Sequence, residues 1–90
     1  MTTLKIPTPL RPYAGGNSEI LVTGRTVGDA MQDLVGQFPA LKKHLFNDLD
    51  ELRPFVNLFV GEEDIRHLQG VNTLLSDEDK LMIIPSIAGG

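Results

Sequence analysis

The chain has 90 residues, 41% hydrophobic and 22% charged, enough for one small domain near the lower size at which a core supports folding unaided. It contains no cysteine, which excludes disulfides, a thiolate metal site and a cysteine nucleophile. The net charge of -4 argues against a phosphate-backbone partner, so no nucleic acid is expected. The opening Met1 to Pro7 lacks a charged stretch followed by a long apolar one, and no apolar run approaches bilayer length. The expectation is a cytoplasmic protein without a membrane partner.

Leu4-Lys5-Ile6 alternates and predicts a short strand, stopped by Pro7 and Pro9, which lack the N–H a ladder needs. Leu10 to Asn17, rich in Pro, Gly and Asn, reads as a loop, mobile from Arg11 to Gly16. Glu19 to Thr23 is β-branched and apolar, a second strand ending at Gly24 and suggesting a hairpin. Thr26 is a helix cap, with Asp29 three residues on as a variant of the capping box. Val27, Ala30, Met31, Leu34, Val35 and Phe38 then recur on one face of a helix that Pro39 breaks. That stripe reads as core, not as a cofactor box.

Ala40 to Phe46 predicts a further turn or two of helix, with Lys42 and Lys43 outward. Asn47 to Pro54 is a polar connection, and Phe55 to Val60 a strand closed by Gly61. Its alternation puts Val56, Leu58 and Val60 on one face and Phe55, Asn57 and Phe59 on the other. Glu62 to Gly70 reads as a short strand or turn around Ile65, Ser76 to Asp79 as a turn, and Lys80 to Ile84 as the last strand. One long helix covers one face of such a sheet, so the expected class is a two-layer α+β arrangement. Of such folds we take a β-grasp roll, a mixed sheet with one main helix packed on one face. Periodicity alone does not separate it from other two-layer folds.

Groups able to do chemistry are scarce. His44 and His67 have no partner at ligand spacing, and both are expected as surface or helix-end residues. Asp48 and Asp50 begin like a calcium loop but lack its glycine and closing glutamate. Glu62-Glu63-Asp64 and Asp77-Glu78-Asp79 read as solvated turns. Gly15-Gly16 precedes a strand, not a helix, and so is no phosphate cradle. No catalytic residues and no metal site are assigned, and the chain is not expected to be an enzyme.

The remaining signal is Ser86-Ile87-Ala88-Gly89-Gly90. Glycine has no Cβ, so a Gly-Gly segment can enter a channel too narrow for other residues. Either it is a frayed end, or Gly90 offers an unhindered α-carboxylate. Such a group has a pKa of about 3.3–3.7 and is an unreactive anion at neutral pH until another protein activates it. Extended, Ser86 to Gly90 reaches roughly 17 Å, enough to enter a partner's active site while the body stays outside. The expected division is therefore 1–85 as the globular domain and 86–90 as a flexible tail, with Ile87 helping to register it in a partner groove.

At these residues the chain resembles the ubiquitin-like sulfur carriers of the ThiS/MoaD type, closest to the CysO-like branch that feeds cysteine biosynthesis. The resemblance rests on Ile6-Pro7-Thr8, Leu10-Arg11-Pro12 and Gly15-Gly16, then Thr26-Val27-Gly28, Phe55-Val56-Asn57 and Glu63-Asp64-Ile65-Arg66, and finally Asp79 leading to Ile83, Pro85 and Ile87-Ala88-Gly89-Gly90. Ser86 departs from the proline or alanine usual in such tails, and Ile87 from valine. The resemblance implies a β-grasp fold and a carrier cycle. An E1-like enzyme adenylates Gly90 with ATP, and a sulfur donor converts it to a thiocarboxylate. A PLP-dependent cysteine synthase then accepts the sulfur, and a metalloprotease releases the product. ATP, PLP and metal would belong to those partners, with no cofactor on this chain. Gly89, Ala88, Ile87 and Ser86 would be read by the partners. Other outcomes stay open: delivery to molybdopterin or thiamin thiazole, conjugation to lysines through Gly90, or a bare interaction domain. Phe55 and Phe59 are candidate docking residues unless the loop after Pro39 covers them, and Arg11 is either a contact for a partner carboxylate or a plain surface arginine.

Overall fold

A computed structural model describes residues 1–85. Five strands form one sheet: β1 (Thr2–Lys5), β2 (Glu19–Val22), β3 (Val56–Val60), β4 (Glu63–Asp64) and β5 (Lys80–Pro85). Their spatial order is β2-β1-β5-β3-β4. The central pair, β1 and β5, is parallel, and every other pairing is antiparallel. The sheet is therefore mixed, and β5, the last element among the described residues, is bonded on both sides.

Period-2 alternation decides what each strand buries. Ile20 and Val22 on β2, Leu4 on β1, Leu81 and Ile83 on β5, and Val56 and Leu58 on β3 all turn inward and are buried. Leu4 lies in register between Ile20 and Leu81, and Leu58 opposite Ile83, so neighbouring strands supply one continuous apolar layer. Helix α1 (Val27–Gln37) covers it with Val27, Ala30, Met31 and Leu34. Val35 and Phe38 are only partly buried, at the margin of that stripe.

The helix begins where the cap was expected. Thr26 has extended backbone, and its hydroxyl oxygen accepts from the Asp29 amide at 3.1 Å. Only this half of the capping box forms among the described residues. The segment entering β5 ties the helix start to the sheet, since the Val27 amide donates to the Thr73 carbonyl and the Leu75 amide to that of Arg25.

Two stretches differ from expectation. The loop foreseen over Leu10 to Asn17 is largely a 3₁₀ helix, Thr8–Ala14, with Pro9 and Pro12 inside it. Proline holds φ near about −65°, within the 3₁₀ range, so residues that stop a strand here build a tight helix instead. Gly15, at φ 64°, ends it in the left-handed region, and Gly16 follows at φ 79°. The paired glycines thus turn the chain into β2. The first strand runs Thr2–Lys5, not Leu4 to Ile6, although the Ile6 amide still bonds the Ser18 carbonyl at 2.8 Å.

After Pro39 a 3₁₀ turn (Pro39–Leu41) leads into α2 (Lys42–Leu45), burying Leu41 and Leu45 while Lys42 and Lys43 stay outside. This unit packs beside α1 and the 3₁₀ helix Thr8–Ala14, on the helical side of the sheet. It does not screen the opposite face. The result is a β-grasp roll.

Candidate functional site

The sheet face away from α1 carries the outward residues of the same strands: Leu21 on β2, Lys5 on β1, Met82 and Ile84 on β5, and Asn57 and Phe59 on β3. Register places Lys5 beside Met82, Met82 beside Phe59, and Ile84 beside Asn57. Ile84 is 40% exposed and Leu21 55%, so this layer is left open where its inner counterpart is sealed.

The described chain leaves the sheet at Pro85, paired with Val56. β1 pairs with β5 over Lys80–Met82, and β3 pairs with it as far as Pro85, so at the exit β3 alone holds the strand. A groove of about 350 Å³ opens beside it, lined among others by Lys5, Pro7, Arg11, Met82, Ile84 and Pro85. Phe55 stands in the turn just before β3 and is 42% exposed at the same end of the sheet. Phe59, two pleat repeats further along, is half-buried.

Arg11 is half-buried in the groove wall, and its Nε donates to the Ile6 carbonyl at 3.1 Å. It is anchored, not a free surface arginine. The remaining predicted site residues, Ser86, Ile87, Ala88, Gly89 and Gly90, lie outside the described residues.

One cluster escaped the residue-level reading. Asp64 was assigned to a solvated acidic turn, yet it is buried. Its Oδ1 accepts from the Arg66 amide at 2.8 Å, its Oδ2 from Arg66 Nη2 at 2.7 Å, and both oxygens from Arg66 Nε at 3.2 Å. Arg66 Nη2 also donates to Asn57 Oδ1 at 2.8 Å. Hydrogen bonds from the Arg66 side chain and then its amide hold the Asp64 carboxyl at about 2, outweighing the opposing effect of burial. The same pairing raises the Arg66 guanidinium further. The spacing Asp-x-Arg at the start of a turn was the available signal, because a short acidic side chain there bonds the amide two residues on.

His44 lies at a helix end as expected, but its ring is no free surface group. It sits 4.1 Å from the Tyr13 ring, and its Nε2 is buried without a hydrogen-bond partner among the described residues. Asp50 pairs with Lys42 at 3.3 Å in an exposed turn. Among the described residues no group of three or more His, Asp or Glu could hold a metal ion, and no helix is long and apolar enough to cross a membrane. Geometrically, then, the described part of the site is an exit flanked by an apolar layer and two anchored arginines.

Comparison with known proteins fits that arrangement. The sequence model of the ThiS family matches residues 4–90. The sulfur carrier protein CysO of Mycobacterium tuberculosis is 36% identical over 90 residues, covering 98% of this chain and 97% of that protein. A chain in the crystal structure of the Amycolatopsis orientalis BexX/CysO complex superposes with a TM-score of 0.90 at 33% identity, covering 100% of both chains. The solution structure of small archaeal modifier protein 1 from Methanosarcina acetivorans superposes with a TM-score of 0.88 at 35% identity, covering 99% of this chain and 95% of that one.

Proposed function

This chain belongs to the ThiS family, and from that premise we propose that it is a sulfur carrier whose cargo is held on the carboxyl group of Gly90. It is a ubiquitin-like carrier or modifier and not itself an enzyme. The observation that carries the reading is that the family match runs through residue 90, five residues beyond β5 at the centre of the sheet. The globular body serves as a handle, and residues 86–90 as the arm it presents.

In this reading an E1-like enzyme binds the outer sheet face, using Phe55, Phe59 and Arg11. A Gly90 carboxylate oxygen attacks the α-phosphorus of ATP and pyrophosphate leaves. A sulfur nucleophile at the oxidation level of sulfide then attacks the acyl carbon, AMP leaves, and a thiocarboxylate remains. ATP is consumed on the activating enzyme, so this chain needs no cofactor of its own. Likeness to CysO, by its name a sulfur carrier, supports the carrier role, and cysteine biosynthesis, which the sequence resemblance implies, is the proposed destination. The acceptor would then be a PLP-dependent synthase, with a metalloprotease releasing the product. The BexX/CysO complex supports stable association of such a carrier with a second protein. The cytoplasm, where ATP is plentiful, is the proposed compartment.

A second reading is favoured by the likeness to small archaeal modifier protein 1: conjugation through Gly90 to lysines of other proteins. Intact-mass spectrometry of the chain purified from its own cell separates the two. A carrier gains the mass difference between one sulfur and one oxygen atom, localised to Gly90. A modifier is recovered in isopeptide adducts to larger proteins. Recovery of the plain carboxylate alone, under conditions where cysteine is being made, would overturn the carrier reading.

A further inference from the structure

Strand β5 spans a charge gradient whose acidic end the fold uses, with Asp77 paired to the N-terminal ammonium at 3.1 Å and the Ser76 amide donating to Asp79 at 2.8 Å, but whose basic end the acyl chemistry leaves unassigned. Its entry is acidic, with Asp77, Glu78 and Asp79 preceding Lys80. Its exit, about 17 Å away at roughly 3.3 Å per residue, is flanked by arginines. Arg11 stands in the groove on the β1 side, and Arg66 is bonded over Asn57 on the β3 side, one strand from Ile84. These cations stand against the net charge of -4.

Arg66 is positioned more tightly than a solvent-exposed arginine needs to be. Its side chain is 68% exposed, while the Asp64 side chain beneath it is only 10% exposed. The carboxylate thus lies below and the guanidinium above, so the pair presents its positive end to the outside. The pair holds the buried Asp64 carboxylate in its charged form, yet leaves the guanidinium above it exposed. Held in place, however, a guanidinium loses less freedom when it binds a second group. Arg11 is mounted in the same way through Nε alone, and its terminal nitrogens make no hydrogen bond among the described residues. Lys5, nearby, lies opposite Glu19 in the β1–β2 register.

We propose that Arg11 and Arg66 form a two-sided clamp for carboxylates on the rim of the partner channel that receives residues 86–90. The clamp rests on the carrier reading. Its occupant is an acidic protein surface for two reasons. The Nη1–Nη2 fork of Arg11 matches a carboxylate in bidentate geometry, while Arg66, whose Nε and Nη2 already bond Asp64 and Asn57, adds the single donor nitrogen Nη1. Between the two arginines lie the apolar Met82 and Ile84, which a protein rim can cover and a small phosphate ligand would leave wet.

The test uses the full chain, wild type and variants, incubated with a desalted extract of its own cell, ATP and sulfide. Initial thiocarboxylate formation is read by intact mass at ~0.05 M and ~0.3 M salt, which shortens the Debye length roughly 2.5-fold. Reversing a rim charge acts on association rate and its salt dependence. Arg11→Glu and Arg66→Glu are each expected to slow conversion about tenfold at low salt and to flatten its salt dependence. Arg66→Lys should recover part of the rate, and Lys43→Glu, on α2 behind the sheet, should match wild type. Circular dichroism checks folding; if Arg66→Glu unfolds beside Asp64, Arg11→Glu alone decides. Wild-type rates and salt dependence in the reversed variants would overturn the clamp while leaving the carrier reading intact. If wild type gains no sulfur, both fall. Saturable shifts of the two arginine Nε–H signals with inorganic triphosphate would assign the pair to a phosphate ligand and likewise overturn the clamp.

Discussion

The two faces of this sheet are made by the same strands, one residue out of phase, yet they have different tasks. Leu4, Leu58, Leu81 and Ile83 face α1 and are at most 2% exposed. Their neighbours Lys5, Asn57, Met82 and Ile84 face the other way and remain half-buried or open. A two-layer fold with one helix can seal only one side, so the second side is available for a partner at little cost to the core. The lesson is that inner-face changes should act through folding, and outer-face changes through recognition.

Substitutions that test this division differ widely in expected size. Leu81→Ala removes a fully buried side chain at the centre of the sheet and is expected to destabilise by about 2–5 kcal/mol, read by urea or thermal unfolding. Thr26→Ala removes the hydroxyl that caps α1 and should cost about 1 kcal/mol, with the helix retained by circular dichroism. Phe55→Ala lies at the opposite extreme: it should change stability by no more than about 0.5 kcal/mol. Sulfur loading of the same variant should nonetheless slow severalfold. Equal loading of Phe55→Ala and wild type would remove the outer face from recognition.

Asp64 gives the comparison a pH axis. Its carboxyl falls from 3.8 to about 2 on folding, so the folded state favours the charged form. That contribution is fully present above the unfolded value and is lost as pH drops from about 4 toward 2. Wild type should therefore lose stability on acidification more steeply than Asp64→Asn across that window. Parallel curves would show that the pair with Arg66 does not form in solution.

How much of this could be read from residues alone follows from the range of each interaction. The α1 stripe and its Thr26 cap were legible because both depend on neighbours within a few positions. The alternation in β3 assigned its faces correctly for the same reason. The 3₁₀ helix Thr8–Ala14 was missed because proline and glycine content signals an interruption of the strand without saying what replaces it. The β5 position between β1 and β3 joins residues far apart in sequence, which local patterning does not encode. Asp64 and Arg66 were adjacent enough to pair on inspection, but burial of Asp64 depends on the surrounding fold. The acyl site, Gly90, rested on the character of the glycine pair and on family resemblance.

The most direct test of the central claim separates handle from arm by adding one bulky residue, such as Trp, after Gly90. The account predicts unfolding behaviour unchanged from wild type and complete loss of thiocarboxylate formation in the extract assay. Sulfur loading of the extended chain at the wild-type rate, with the added residue still attached, would contradict it.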